Sequence, residues 1–327
     1  MRDDIPGSRG AWAAAPAASQ DGGAGGGPVP VEPPAPGRSW TVLHLVRWSA
    51  AYLEEKGVPS SRLDAELLLA HALGLSRLDL YLQHDRPLAP EELAAFRALL
   101  LERARRKPLQ YVLGSAAFRD LELGVDRRVL IPRPETEGLV ERVLQRFMGG
   151  SELEALDVGT GSGAIALSLS LEGPFRRVVA TDLSEDALQV ARANALALEV
   201  EGVEFRAGSL FHPVGEGERF HLVVSNPPYV ERRTHRTLEP EVRDWEPESA
   251  LVAGAAGTEI LDPLVDGSPE VLHTGGLLAL EVGEGQAGAV ADRIRRTPGL
   301  GEPEVEKDLE GRSRYVLARR DGSALRS

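Results

Sequence analysis

Val223-Val224-Ser225-Asn226-Pro227-Pro228-Tyr229-Val230 is a β-branched run that stops abruptly in an asparagine, two prolines and a tyrosine. Neither proline donates a backbone N–H, and Pro227 biases Asn226 away from helical angles, so a strand ends here and the carbonyls beyond it are free for another partner. An amide oxygen, proline-flanked carbonyls and a flat ring together can hold and orient a planar NH2 group, such as a carboxamide or a nucleobase amine. Taken alone, Asn-Pro-Pro is only a turn signal. In the context of the rest of the chain, Asn226, Pro227 and Tyr229 are the candidate catalytic residues, and Asn226, Pro227, Pro228 and Tyr229 the candidate substrate-binding set.

A second constellation lies upstream, in Leu156-Asp157-Val158-Gly159-Thr160-Gly161-Ser162-Gly163-Ala164. Glycines at this spacing let the chain leave a strand in a tight turn, bring bare backbone against a ligand and open a helix whose N–H groups face it. A nucleotide-like ligand is implied, with Gly159, Thr160, Gly161, Ser162, Gly163, Asp182 and Asn226 as candidate cofactor-binding residues. The spacing also satisfies G-x-G-x-x-A, with Asp182 19 residues after Gly163, so a dinucleotide fold is the competing reading. In both, Asp182 accepts hydrogen bonds from ribose hydroxyls. Asp157 separates them: a carboxylate two residues before the first glycine repels a pyrophosphate but suits a cationic amino-acid end, which favours S-adenosylmethionine over NAD.

A methyl donor held by the glycine turn and an amine held by Asn226 imply methyl transfer to nitrogen, an in-line displacement. Holding the two atoms in near-attack geometry can supply ~7–11 kcal/mol of the barrier. The acceptor lone pair is delocalised. Acceptors at the Asn226 side-chain oxygen and the Pro227 carbonyl would take its two hydrogens and aim the lone pair at the methyl, with Tyr229 stacked on the flat group. Because the nitrogen becomes acidic only as it gains the methyl, no general base is required beforehand.

These groups need a scaffold. From 135 to 320 the pattern alternates strands (Ala155 to Val158, Arg177 to Thr181, Val203 to Arg206, His221 to Ser225, Leu277 to Val282) with helices (Glu135 to Phe147, Ala164 to Leu171, Glu185 to Leu198 with Ser184 as N-cap, Ala287 to Arg295). Glu304 to Asp308 and Tyr315 to Ala318 close it as an antiparallel pair, giving seven strands in a mostly parallel sheet. Segment 39–107 reads as a helical domain: Thr41 to Lys56, a helix opened by Ser61 and stopped at Gly74, Leu78 to Gln83, and Pro90 to Arg103. Its basic end, Arg103 to Lys107, suits either the helix dipole or a contact with an acidic polymer or RNA. Segment 108–134 reads as a β-hairpin linker, with strands Phe118 to Leu123 and Arg128 to Ile131. Residues 1–38, rich in Ala, Gly and Pro, read as a disordered tail without signal-peptide character, and 321–327 as a second tail.

Composition narrows the classes. A formal net charge of −13 argues against stable binding of DNA through its phosphates. The chain has no cysteine, which removes disulfides and thiolate chemistry and fits a reducing, cytoplasmic compartment. Its seven histidines are scattered without ligand spacing, so no metal site is expected, and no apolar run reaches the roughly 18–20 residues of a membrane span.

Together these residues resemble the HemK/PrmC family, methyltransferases that N5-methylate the glutamine of the Gly-Gly-Gln motif of peptide chain release factors. The resemblance runs from about Trp40 to Ala318 and is carried by Ser61-Arg62-Leu63-Asp64-Ala65-Glu66, Pro108-Leu109-Gln110-Tyr111, Leu130-Ile131-Pro132-Arg133-Pro134-Glu135-Thr136-Glu137, Asp157 to Gly163, Asp182, Asn226 to Tyr229 and Lys307-Asp308-Leu309. The Ile-Pro-Arg-Pro-Glu-Thr-Glu element is highly specific. Asn-Pro-Pro-Tyr is shared with adenine and guanine amino-methyltransferases, the alternative reading, and a catalytically silent donor-binding module is a third. The resemblance implies a class I S-adenosylmethionine-dependent methyltransferase fold, with a seven-stranded, mostly parallel Rossmann-like sheet, and a small helical N-terminal domain that contacts the release factor. It also implies Gly159 to Gly163 and Asp182 on the cofactor and Asn226 to Tyr229 on the substrate glutamine. Two departures stand out: Gly208-Ser209-Leu210 replaces the family's frequent Gly-Asp near the adenine, and Arg106-Lys107-Pro108 its frequent Gly-Glu-Pro.

Overall fold

The computed structural model describes residues 39–322. The tail assigned to 1–38 and the last five residues of the tail assigned to 321–327 lie outside the described residues. The chain forms two compact units that divide between Leu113 and Gly114.

The first unit is helical: α1 (Val42–Glu55), α2 (Ser61–Leu73), α3 (Arg77–Leu82), α4 (Pro90–Ala104) and α5 (Leu109–Leu113). Its core collects Leu45, Leu53, Leu68, Leu69, Phe96 and Leu100, the apolar stripes of α1, α2 and α4. Local signals set the ends. Gly74 stops α2 in the left-handed region, Ser76 and Asp79 form a capping box on α3, and Pro90 takes the first position of α4, where its missing N–H costs nothing. Arg103 is buried in this unit and donates from Nε to Asp64 at 2.7 Å and from a terminal nitrogen to the Lys107 carbonyl at 3.2 Å, while Arg105 and Lys107 pair with Glu102. Leu109–Leu113 is helical, so the linker expected from 108 begins with a helical turn.

The second unit opens on a hairpin, β1 (Ser115–Phe118) and β2 (Leu121–Gly124), in antiparallel register from Ser115↔Gly124 to Phe118↔Leu121. This corrects the expected pairing of Phe118–Leu123 with Arg128–Ile131. The chain turns at Arg119, in the left-handed region at φ 52°, rather than at Gly124. Asp126 holds the Arg128 N–H and guanidinium, and 125–133 runs on without strand pairing.

Helix α6 (Pro134–Arg146) leads into β3 (Leu153–Val158), α7 (Ala164–Glu172), β4 (Phe175–Asp182), α8 (Glu185–Ala197), β5 (Val203–Ala207) and β6 (Phe220–Ser225). A small sheet follows, β7 (Val230–Glu231) with β8 (Val252–Gly254), enclosing the single-turn helices α9 (Arg232–His235), α10 (Pro240–Arg243) and α11 (Glu248–Leu251). The unit ends with α12 (Leu261–Val271), β9 (Leu272–Glu281), α13 (Ala287–Arg296), β10 (Glu304–Lys307) and β11 (Ser313–Arg319). Seven strands form the main sheet in the order β10-β11-β9-β6-β3-β4-β5, parallel from β9 to β5 and antiparallel at β11 and β10. Alternate residues of each strand face opposite layers. Ala155 and Val224 pack with Leu139, Ile165 and Leu169 on one side; Leu156 and Val223 pack with Leu264, Val290 and Ile294 on the other. Helix α12 went unread because Pro269 and Gly267 interrupt its pattern, yet both sit in its second half and the apolar face still fills the core.

Candidate active site

Strands β3 and β6 are parallel neighbours, with Asp157 opposite Val224, so the glycine turn and Asn226 leave the sheet at the same edge from adjacent strands. The Ser225 hydroxyl donates to the Val158 carbonyl at 2.6 Å and pins the two exits together. This carboxyl edge is where open α/β sheets hold ligands. A cavity opens there, and of the residues singled out in the sequence Gly159, Gly161, Asp182, Asn226, Pro227 and Pro228 line it. Thr160, Ser162, Gly163 and Tyr229 stand behind that wall.

The glycine turn is tightly tied. Gly159 and Thr160 N–H both donate to the Thr181 carbonyl, at 2.8 and 2.9 Å, and Gly161 N–H donates to Asp182 Oδ2 at 2.9 Å. At Gly161, φ of +56° favours glycine, and a β-carbon there would meet nothing within 4 Å, so bare backbone faces open space. Gly163, at φ +86°, opens α7; a β-carbon would press on Leu167 at 3.2 Å and Ala191 at 3.3 Å, so its role is close packing. Ser162 is buried, and its carbonyl accepts from Asn194 Nδ2 at 2.9 Å.

Asp157 is fully buried beneath the turn. Thr160 donates its hydroxyl to Oδ2 at 2.7 Å, while Oδ1 is buried without a hydrogen-bond partner. Burial pushes this carboxyl up to about 7, opposed by the Thr160 hydroxyl and reinforced by the nearby charge of Asp182. Asp182, ending β4, accepts Gly161 N–H at Oδ2 and Ser184 N–H at Oδ1, the latter at 2.8 Å; burial raises its pKa against backbone bonds from Ser184, Gly161 and Leu183. A carboxylate has about four lone-pair sites, so Asp182 retains capacity for a further donor. An uncovered glycine backbone and a part-satisfied carboxylate along one edge, with a second acid buried behind them, fit a ligand with vicinal hydroxyls and a cationic group.

Asn226 donates Nδ2 to the Thr136 hydroxyl at 2.8 Å, and Thr136 donates to Glu281 Oε2 at 2.8 Å. One of the two amide hydrogens is therefore committed to Thr136, which sets the amide oxygen at the opposite end of the group. Glu281 is buried at the end of β9, and burial pushes its carboxyl up to about 7 against the pull of the Thr136 hydroxyl and Arg314. The Tyr229 hydroxyl donates to Glu281 Oε1 at 3.4 Å, and its carbonyl accepts from Gln286 at 3.1 Å, so both ends of the residue anchor the turn. Burial and the Glu281 charge push its phenol up to about 12.

The remaining walls come from segments without a legible motif. Arg128, Val129 and Leu130 line one side, and Pro247, Ser249 and Ala250 another. Buried Glu246 holds that second segment in place by accepting from the Arg133 guanidinium and from Ile131 N–H. Beyond Asp182 the wall is Gly208, Ser209 and Leu210, with no carboxylate among the three; a β-carbon on Gly208 would lie 2.5 Å from Pro213. Thr136 stands in the Ile-Pro-Arg-Pro-Glu-Thr-Glu element, but nothing in the sequence assigns it a contact with Asn226, and Glu281 belongs to no motif. Their signal was a single acid ending the apolar run Leu277 to Leu280 and a threonine on the inward face of α6.

Comparison with known proteins gives a consistent answer. A family model described as the PrmC N-terminal domain matches residues 44–114, and one described as the methyltransferase small domain matches 136–240. The release factor glutamine methyltransferase of Geobacter sulfurreducens is 43% identical over 282 residues, covering 86% of this chain and 97% of the relative. That of Chlorobaculum tepidum is 45% identical over 253 residues, covering 74% and 85%. Among solved structures, the protein-(glutamine-N5) methyltransferase (release factor-specific) of Alicyclobacillus acidocaldarius is 30% identical, with a TM-score of 0.38, over 58% of this chain and 94% of that one. With near full-length similarity on one side, and on the other a class I methyltransferase sheet that sets the glycine turn beside Asn226, the chain belongs to the release factor glutamine methyltransferase family.

Proposed function

We propose that the chain transfers a methyl group from S-adenosylmethionine to the side-chain nitrogen of the glutamine in the Gly-Gly-Gln motif of a peptide chain release factor. The observation that carries this reading is the pairing of β3 with β6, which sets Gly159 and Asn226 side by side at one edge of the cavity. S-adenosylmethionine, when bound, supplies an electrophilic methyl on sulfonium. Asp182 would hold its ribose hydroxyls and Gly159 and Gly161 would present backbone to it, while a cationic end near the turn would favour the ionised form of buried Asp157 behind it.

Asn226 performs the positioning on the acceptor side. Its oxygen, together with the Pro227 carbonyl, accepts the two N–H hydrogens of a planar carboxamide, which fixes the plane of the amide and turns the nitrogen lone pair toward the methyl. The nitrogen would form its bond to carbon as the carbon–sulfur bond breaks and the neutral thioether leaves, and the proton, acidic only once the methyl has arrived, would pass to solvent. Tyr229 holds the turn through Glu281 and Gln286. We assign the helical unit to release-factor contact and place the protein in the cytoplasm, a reducing compartment consistent with a chain free of cysteine.

The test incubates the protein with methyl-labelled S-adenosylmethionine and, in parallel, a purified release factor, its Gly-Gly-Ala variant, and a pool of RNA and DNA. Label is expected on the wild-type release factor alone. Label on nucleic acid with none on the release factor overturns the reading.

A further inference from the structure

The hydrogen bonds behind Asn226 form a directed chain. Glu281 accepts the Thr136 hydroxyl hydrogen, so Thr136 has only lone pairs to offer Asn226, and Asn226 must present its NH2 end to Thr136. We propose that Thr136 and Glu281 are positioning residues that set which end of the Asn226 amide faces the cavity. The inference rests on reading Asn226 as the residue that holds the acceptor amide. An amide side chain is nearly symmetric in shape, so packing alone does not choose between its two orientations. Only the oxygen-out orientation accepts hydrogens from a substrate NH2; the reverse sets donor against donor.

The chain is sheltered enough to matter. Thr136 is 5% exposed and Glu281 1%, so water does not compete for either group. The groups around Glu281 come from every neighbouring element: Glu135 and Thr136 on α6, Tyr229 after β6, and Arg314 and Tyr315 on β11. Of these Arg314 alone carries positive charge, and its field keeps Glu281 an acceptor. Burial works against it and brings the carboxyl up to about 7. Once protonated, Glu281 can donate to Thr136, whose hydroxyl then donates to the Asn226 oxygen and turns the NH2 end outward.

The chain contains two asparagines, Asn194 and Asn226, so asparagine-selective nitrogen labelling gives two side-chain NH2 signals. Asn194 donates to the Gly124 and Ser162 carbonyls, away from this chain of bonds, and serves as the internal control. In the wild type the Asn226 signal is expected to shift on acidification through neutrality by more than that of Asn194, whose partner Ser162 lies in the turn over Asp157. Thr136→Ser keeps that response, whereas Thr136→Val and Glu281→Gln abolish it. In turnover with a release factor, Thr136→Val lowers kcat by roughly 10- to 100-fold with donor affinity unchanged, and Thr136→Ser restores it. An Asn226 signal that is the same in Thr136→Val as in wild type, or one that keeps its pH response in Glu281→Gln, overturns the proposal. Since the spectra need no substrate, a wild type that shows the expected shifts but leaves release factors unlabelled refutes the proposed substrate and leaves this assignment standing.

Discussion

At the scale of single residues, the proposed function divides the site into groups that would meet the donor and groups that would meet the acceptor. Asp182 and Asn226 both line the cavity, and the proposal gives the first to the donor and the second to the acceptor. Asn226→Ala is therefore expected to lower kcat by about 100-fold or more while donor affinity changes little. Asp182→Ala removes charge-assisted hydrogen bonds and weakens donor binding by roughly 10- to 100-fold, with a smaller effect on kcat at saturating donor. Calorimetric titration and single-turnover rates measure the two; equal effects on donor binding would show that one of them is misassigned. Asp157 was legible as an unusual acid before a glycine turn. That it lies wholly beneath the turn, holding Thr160, was not, because a strand's period of two says which face a side chain takes but not how deeply the neighbouring helix covers it.

At the scale of elements, the turn between β3 and α7 works by two glycines with different tasks. Gly161→Ala puts a non-glycine residue in the left-handed region at a cost of about 1–2 kcal/mol, but adds a methyl to open space on the ligand's side. Gly163→Ala adds contacts with Leu167 and Ala191 to the same kind of strain and is expected to cost about 2–4 kcal/mol. Urea denaturation ranks their stabilities. Donor titration is expected to rank them in the opposite sense, with Gly161→Ala the weaker binder; if Gly163→Ala is at least as stable as Gly161→Ala, the packing role is wrong. Except for α12, the strands and helices of the main sheet were readable from apolar periodicity, and at α8 a capping residue agrees with it. Ser184 caps α8 by accepting the Ala187 N–H at 3.2 Å. The hairpin was misplaced because Gly124 looks like the turn and Arg119 does not; cross-strand pairing and the Glu172, Glu137 and Glu141 contacts of Arg119 decide it.

For the whole molecule, two buried carboxyls have folded-state pKa values raised to about 7, Asp157 and Glu281, against unfolded values near 4. The folded state then binds more protons than the unfolded state between about pH 4 and 7. Their contribution is fully present below pH ~4 and is lost as pH rises through 7. Glu218 works the other way. Its bonds to Arg206 and Arg177 hold it down to about 2, so its contribution is present above the ordinary glutamate value and is lost as pH falls toward 2. The ligand-free protein is accordingly expected to melt at a lower temperature at slightly alkaline than at mildly acidic pH. Donor binding, which brings a cation near Asp157, is expected to raise the melting temperature more on the alkaline side. Calorimetry across that range checks both signs; a melting temperature that rises steadily through neutrality without donor contradicts them.

Composition, periodicity and two short motifs determined the fold class, the sheet edge at which the cavity opens and the residues Gly159, Gly161, Asp182 and Asn226 that line it, because these depend on backbone constraints carried by consecutive residues. Tertiary structure decided the rest: that the Tyr229 hydroxyl meets Glu281, that Arg128, Val129 and Leu130 and then Pro247, Ser249 and Ala250 line the cavity, and that Thr136, 90 residues before Asn226, accepts from its amide. Such contacts join segments that are distant in sequence, and a side chain's hydrogen-bond partner across that distance is fixed by how the layers pack.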